Sequence, residues 1–251
     1  MNSKTALITG ASVGIGRATA IALAGAGYNL ILLARRKEKL QELAAELSSI
    51  KTYIIGCDIN DHEELEKQLS NLPQEYIGID LLVNNAGLAL GLEPANETDW
   101  NDWQTMIETN CLSLAFITRQ ILPGMVERNR GHVINIGSTA GSYQYRGGNV
   151  YGASKAFVDQ FSMNLLTDLL GTKVRSTLLT PGMLGDTEFS LVRFHGDESE
   201  AEKVYAGHQA LKPEDVAESI RWVATQPEHV NINRLEIMPT CQAPAGLAVK
   251  S

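Results

Sequence analysis

Residues 5–16 read TALITGASVGIG: strand-forming residues Thr5–Thr9 run into a turn holding Gly10, Gly14 and Gly16, and an amphipathic stretch over Ile15–Ala26 starts at once. Strand, glycine turn and helix in immediate succession form the opening unit of a parallel α/β fold. The same alternation continues along the chain. Thr5–Thr9, Leu30–Leu33, Tyr53–Ile55, Leu81–Asn84, His132–Ile136, Val174–Leu179 and Arg234–Met238 read as buried strands. Ile15–Ala26, Lys37–Leu47, His62–Leu69, Asp102–Glu127, Tyr151–Leu170 and Pro213–Thr225 read as helices between them. Alternation of this kind predicts right-handed crossovers and a sheet covered on both faces, hence one doubly wound α/β domain over residues 1–251.

Punctuation supports the boundaries. Asp99 suits a cap before the fourth long helix, Pro213 with Glu214 and Asp215 suits a helix N-terminus, and Gly171 suits a stop. The least regular stretch, 182–208, falls between the sixth strand and the last helix. It is expected to be a substrate lid beside the carboxyl ends of the strands.

The chain has 251 residues, 44% hydrophobic and 20% charged, with a formal net charge of −8. A chain of this length hides roughly 70–75% of its unfolded surface, enough for a core without staples. The acidic balance argues against nucleic-acid partners, which require a basic face. Three cysteines, Cys57, Cys111 and Cys241, form no metal-ligand spacing and leave an odd count, so a reduced cytoplasmic setting and no metal are expected. No run of roughly 18 apolar residues and no signal-peptide pattern is present, so no membrane association is expected.

Glycines at Gly10, Gly14 and Gly16 let the chain turn tightly, admit a pyrophosphate against the backbone, and pack the helix on the strand. Ser12 and Ile15 belong to the same turn, whose helix N-terminus offers free N–H groups to phosphates. The spacing is not GxGxxG, and its position before the first helix carries the argument. At the second strand's end, where an acid would bind a ribose 2′-hydroxyl, the chain has Ala34, Arg35 and Arg36. Two guanidiniums without an acid favour a 2′-phosphate, hence NADP(H); the alternative is a solvated helix start. Asp58 and Ile59 after the third strand are placed for the adenine, and Asn85, Ala86 and Gly87 after the fourth for the adenosine ribose; ordinary turn chemistry is the other reading of both.

Tyr151 and Lys155, spaced i, i+4, share a helix face. A tyrosine with an unperturbed pKa of ~10 is a poor base at neutral pH, and a fixed ammonium favours its phenolate. Ser138, thirteen residues earlier at a strand end, brings a second hydroxyl to the same carbonyl oxygen.

With these residues assembled, the whole chain resembles the short-chain dehydrogenase/reductase family. The family's TGxxxGxG appears as Thr9, Gly10, Gly14 and Gly16; its NNAG as Asn84–Gly87; its catalytic Asn as Asn110; its Ser as Ser138; its YxxxK as Tyr151 and Lys155; its Pro-Gly as Pro181 and Gly182. The resemblance implies a Rossmann-type fold with a seven-stranded parallel sheet in order 3-2-1-4-5-6-7, and a homotetramer. In it Tyr151 is the acid in reduction and the base in oxidation, and Ser138 holds the substrate oxygen. Lys155 tunes Tyr151 and binds the nicotinamide ribose, Asn110 holds a relay water, and Pro181, Gly182 and Thr187 contact the cofactor.

Segments such as 83–91, 122–129, 147–151 and 229–233 resemble the NADP-dependent 3-hydroxy acid dehydrogenases, which implies serine, allo-threonine or 3-hydroxypropionate as the kind of substrate. A carboxylate needs a cationic partner. Arg193 in the lid is the first candidate and Arg146 the second; the alternative for Arg193 is a surface ion pair with Asp197 or Glu198. Two other functions fit less well. A carbonyl or 3-oxoacyl reductase of the family would usually end its last strand in a glycine pair, unlike Ile237-Met238-Pro239-Thr240, and a non-catalytic NADP-binding regulator would be expected to lack part of the tetrad.

Overall fold

The computed structural model describes residues 4–185, 187–203 and 209–244. Seven parallel strands, β1 (Thr5–Thr9), β2 (Asn29–Ala34), β3 (Thr52–Gly56), β4 (Ile79–Asn84), β5 (Gly131–Ile136), β6 (Val174–Pro181) and β7 (Arg234–Ile237), form one sheet in the order β3-β2-β1-β4-β5-β6-β7. The helices are α1 (Gly14–Gly25), α2 (Lys37–Glu46), α3 (His62–Ser70), α4 (Trp100–Ile107), α5 (Leu114–Glu127), α6 (Asn149–Asp168), α7 (Phe189–Arg193), α8 (Glu198–Lys203) and α9 (Pro213–Ala224).

Side-chain alternation along the strands makes two cores. Ala6, Ile8, Leu30, Leu32, Leu81 and Val83 face one way and pack with Leu23 of α1, Leu40 and Leu43 of α2, and Val216 and Ile220 of α9. Leu7, Ile31, Leu33 and Leu82 face the other way, against Leu65 of α3, Ile117 and Ile121 of α5, and Leu165 of α6. Each fully buried aliphatic side chain contributes about 1.5–3 kcal/mol, so a one-residue slip of any central strand would be costly on both faces.

Caps fall where the residues predict them. Asp99 accepts a hydrogen bond from the N–H of Asn101, Asp215 accepts from the N–H of Lys212, and Gly171 takes a φ of +88° after α6. Expected boundaries shift by a residue or two elsewhere.

One expected element is corrected. The single helix over Asp102–Glu127 is α4 and α5 joined by a π-helical segment, Glu108–Ser113. The stretch 182–208, expected to be irregular, holds α7 and α8, and its base is tied by a hydrogen bond from Gly185 N–H to the Leu211 carbonyl (2.9 Å). Among the described residues no helix is long and apolar enough to cross a membrane.

The chain order reverses between β1 and β4, which leaves a crevice beyond their carboxyl ends. Thr9 closes its floor. Its Oγ accepts from the N–H groups of Asn85 (3.0 Å) and Ala86 (2.9 Å) and donates to the Val83 carbonyl (3.4 Å).

Candidate active site

A cleft of about 780 Å³ opens on this reversal point and runs along the strand ends. Its first wall is the glycine turn. Gly10 (φ +66°) and Gly14 (φ +54°) are in the left-handed region that suits glycine. A Cβ on Gly16 would lie 2.2 Å from the Gly10 carbonyl oxygen, so its hydrogen side chain sets how closely α1 approaches β1. Gly16 therefore stands behind the lining formed by Gly10, Ser12, Val13, Gly14 and Ile15. No side chain caps α1, and Val13, Gly14 and Ile15 at its start line the cleft, so the first-turn N–H groups lie beside that space. This cradle fits a pyrophosphate.

Beyond β2, Arg35 and Arg36 line the cleft with Asp58 and Ile59. Arg35 lies 3.8 Å from Asp58, whose other oxygen accepts from the Asn60 N–H (3.0 Å), so Asp58 lines the groove and shapes its own turn at once. Arg36 forms a two-point contact with Glu188 (3.1 and 2.8 Å), and Lys39 reaches the same carboxylate (3.1 Å). These cations hold the Glu188 carboxyl below its ordinary range, the Arg36 hydrogen bond being the largest cause. Glu188 was not singled out in the sequence, because its partners lie on a distant helix. Asn85, Ala86 and Gly87 also line the cleft, and the Asn85 amide donates to the Thr9 carbonyl (2.9 Å), clamping the glycine turn to the end of β4.

At the far end, Tyr151 and Lys155 rise from α6, both buried, with the Lys155 Nζ 6.0 Å from the Tyr151 ring centre. Lys155 donates to the Ile136 carbonyl at the end of β5 (2.9 Å). Burial pushes its ammonium down to about 8, with Cys111 pulling it part of the way back. Ser138 precedes a short turn, Thr139–Gly141, and its Oγ accepts from the Ala140 N–H (3.1 Å), which leaves the hydroxyl proton to donate. That turn packs directly on α6: a Cβ on Gly141 would lie 2.9 Å from the Lys155 carbonyl carbon.

Asn110 sits in the π-helical segment, behind the cleft wall rather than in it. Its amide oxygen accepts from the Leu88 N–H (2.9 Å) and its nitrogen donates to the Leu88 carbonyl (2.8 Å) and Ser154 (3.0 Å). Gly87 leaves room for both side chains: a Cβ there would be 3.1 Å from the Asn110 oxygen and 3.3 Å from the Lys155 nitrogen.

The segment after β6 forms the outer wall. Pro181, Gly182 and Thr187 line the cleft, and the Thr187 methyl lies 3.4 Å from where a Gly14 Cβ would stand. Gln242, which the sequence did not point to, accepts from the Met183 N–H (2.7 Å). Phe189 meets the Tyr151 ring edge-on at 5.9 Å. Arg193 turns into the cleft, its guanidinium 5.6 Å from the Tyr151 ring centre and 5.5 Å from that of Tyr145. It is held by the Gly91 carbonyl (3.2 Å) and the Tyr145 hydroxyl (2.7 Å). Asp197, one alternative partner, accepts from the Glu200 N–H, and Arg146 is outside the lining.

Known proteins bear on this geometry. The short chain dehydrogenase family model matches residues 4–195. The chain is 56% identical over 243 residues, 97% of its length and 98% of the relative's, to the NADP-dependent 3-hydroxy acid dehydrogenase YdfG of Escherichia coli strain K12. It is 48% identical to sulfoacetaldehyde reductase 2 of Chromohalobacter salexigens, with 98% of each chain covered. Among solved structures, the closed form of a serine dehydrogenase complexed with NADP+ superposes with a TM-score of 0.96 at 55% identity, covering 98% of this chain and 99% of that one.

Proposed function

The chain belongs to the short-chain dehydrogenase family, and from that premise we propose that it is an NADP-dependent oxidoreductase acting between the hydroxyl and carbonyl forms of a small 3-hydroxy acid of the serine, allo-threonine or 3-hydroxypropionate type. Similarity to the E. coli 3-hydroxy acid dehydrogenase over nearly the whole of both chains supports this reading. The observation that carries it is the Arg193 guanidinium over the ring of Tyr151, inside the cleft that Ser138 and Lys155 also line. A substrate carboxylate on Arg193 would set the neighbouring hydroxyl-bearing carbon beside Tyr151 and Ser138, and the pairing offsets the desolvation of the anion.

A bound dinucleotide would supply or accept the hydride. The glycine turn would hold its pyrophosphate, Arg35 and Arg36 its 2′-phosphate, Asp58, Ile59, Asn85, Ala86 and Gly87 its adenosine, and Pro181, Gly182 and Thr187 its nicotinamide end. Ser138 donates to the substrate oxygen and fixes it. Tyr151 gives that oxygen a proton in reduction and takes one in oxidation. Lys155, a buried cation anchored on Ile136, favours the phenolate and reaches the ribose hydroxyls. Asn110 would hold a water that relays protons between Lys155 and solvent, the role its place in the family pattern implies.

The chain acts as one domain, with 182–185 and 187–203 as its lid; 186 and 204–208 of the expected lid lie outside the described residues. Exposed apolar side chains at Leu112 in the π-helical segment, Phe157 on α6, Leu170 just past α6 and Trp222 on α9 support a homotetramer, with the cytoplasm as its expected setting. Sedimentation would test the assembly. The activity is tested by following nicotinamide absorbance with NADP+ and L-serine, allo-threonine, 3-hydroxypropionate, the sulfonate alcohol isethionate and uncharged secondary alcohols. Turnover selective for the carboxylates is expected. Turnover of uncharged alcohols alone would point to a general carbonyl reductase, and tight NADP+ binding without turnover to a regulator.

A further inference from the structure

Arg36 immediately precedes α2 and Lys39 follows at i, i+3, so both cations present to one side of the helix start. Glu188 arrives there from the opposite wall of the cleft. Its neighbour Thr187 faces the glycine turn, its methyl 3.4 Å from where a Gly14 Cβ would stand, and the chain then carries the carboxylate across to α2. The contact is fork to fork: Arg36 Nη1 to Oε1 at 3.1 Å and Nη2 to Oε2 at 2.8 Å. That is the edge of a guanidinium that a phosphate takes, and a fork holds one such partner at a time. Lys39, 3.1 Å from Oε1, gives the carboxylate a second cation to rest on when Arg36 is drawn away.

We infer that Glu188 is an intramolecular competitor of the cofactor's 2′-phosphate for Arg36, and so sets how strongly the chain prefers phosphorylated over unphosphorylated dinucleotide. The inference rests on the reading above that places the 2′-phosphate at Arg35 and Arg36. A phosphate monoester carries about −1.5 to −2 charge at neutral pH, so it meets Glu188 both as a rival for the fork and as a like charge. Arg35 is less encumbered, since its contact with Asp58 is longer, at 3.8 Å. The carboxylate thus weakens NADP(H) binding at the adenosine end while tying the outer wall to α2. A site without it would hold the phosphorylated cofactor more tightly.

The test uses adenosine 2′,5′-bisphosphate and adenosine 5′-monophosphate, fragments without the nicotinamide, titrated calorimetrically into the full chain. Glu188→Gln should tighten the bisphosphate about three- to fivefold, the range for partly exposed charge contacts, and leave the monophosphate unchanged. Unchanged or weaker bisphosphate binding, or equal tightening of both fragments, would overturn the inference. Arg36→Ala separates this from the reading beneath it. If that variant leaves the ratio of the two affinities unaltered, the phosphate is not held by Arg36 and both ideas fall. If it weakens the bisphosphate selectively while Glu188→Gln does not tighten it, only the competitor role falls.

Discussion

Lys155 Nζ lies 2.9 Å from the carbonyl oxygen of Ile136, so the buried ammonium of α6 is tethered to the last residue of β5, two positions before Ser138. One hydrogen bond thereby fixes the distance between the helix that carries Tyr151 and the strand end that carries Ser138. Because the cation is buried with a backbone carbonyl as its acceptor, desolvation outweighs its partners and its proton is held more loosely than in water.

This sets a pH dependence with two opposite signs. At pH values below about 8 Lys155 is charged in both folded and unfolded chains; between about 8 and the ordinary 10.5 only the unfolded chain keeps the proton. Stability therefore rises with pH through that window, since the unfolded state binds more protons. Activity that depends on the ammonium falls as pH passes about 8. Against Lys155→Met, which lacks the charge throughout, the wild type should gain urea resistance from pH 8 to 10.5 while its kcat/KM declines. The variant should lose about 10²–10⁴-fold in kcat. Parallel stability profiles for the two proteins would contradict the buried-cation account.

Gly16 and Gly25 stand in the same helix and should respond oppositely to alanine. At Gly16 a methyl would lie 2.2 Å from the Gly10 carbonyl oxygen and 2.6 Å from the Asn85 amide nitrogen, so α1 must move off β1. Gly16→Ala should cost about 1–3 kcal/mol by overpacking and weaken NADP+ binding, because the turn that cradles the phosphates moves with it. At Gly25 nothing lies within 4 Å of the added Cβ. Gly25→Ala should stabilise by about 0.4–1 kcal/mol through the unfolded chain and leave binding unaltered. Thermal melts with paired binding titrations would reveal the contrast.

The alternation of strand and helix was legible because short β-branched or leucine-rich runs alternate with longer amphipathic stretches, and the first strand runs straight into the glycine turn at Gly10. The meeting of Ser138, Tyr151 and Lys155 in one cleft was legible because all three follow one strand end at short offsets, whereas Asn110 was reached only through the family resemblance. The π-helical segment was not. Its apolar periodicity is continuous with the flanking turns, and only the Thr109-Asn110-Cys111 run, poor in helix formers, hints at the interruption. Nor were Glu188 and Gln242 legible, since their partners, Arg36 and Met183, are fixed by how the wall after β6 folds back over the sheet. Arg193 carried two readings in the sequence, and its bonds to Gly91 and Tyr145 turn it inward.

Asn110 provides a test of the π-helical segment. Its amide satisfies both backbone groups of half-buried Leu88 and also bonds buried Ser154. Asn110→Ala leaves the Leu88 N–H and carbonyl without their partner and should cost about 2–4 kcal/mol. Asn110→Asp keeps an acceptor for the N–H but opposes the carbonyl with a second oxygen, so it should be no more stable than the alanine variant. An aspartate variant as stable as wild type in urea titration would show that the Leu88 carbonyl contact contributes nothing.

Arg193 offers the most direct test of substrate class. Its guanidinium is aimed by two contacts from the opposite wall and stacked near the Tyr151 ring, yet neither contact is a carboxylate, so its charge is available to an anion in the cleft. Arg193→Ala should raise KM for 3-hydroxypropionate by about 10–100-fold, the loss of a charge-assisted pair, while changing KM for 1-propanol little. Arg193→Lys should recover only part of the loss, because an ammonium offers the carboxylate a point charge in place of a fork. Tyr145→Phe, which removes the hydroxyl 2.7 Å from the guanidinium, should move KM in the same direction by a smaller factor. If alanine at 193 raised KM equally for the acid and the uncharged alcohol, Arg193 would be shaping the cleft rather than recognising the carboxylate.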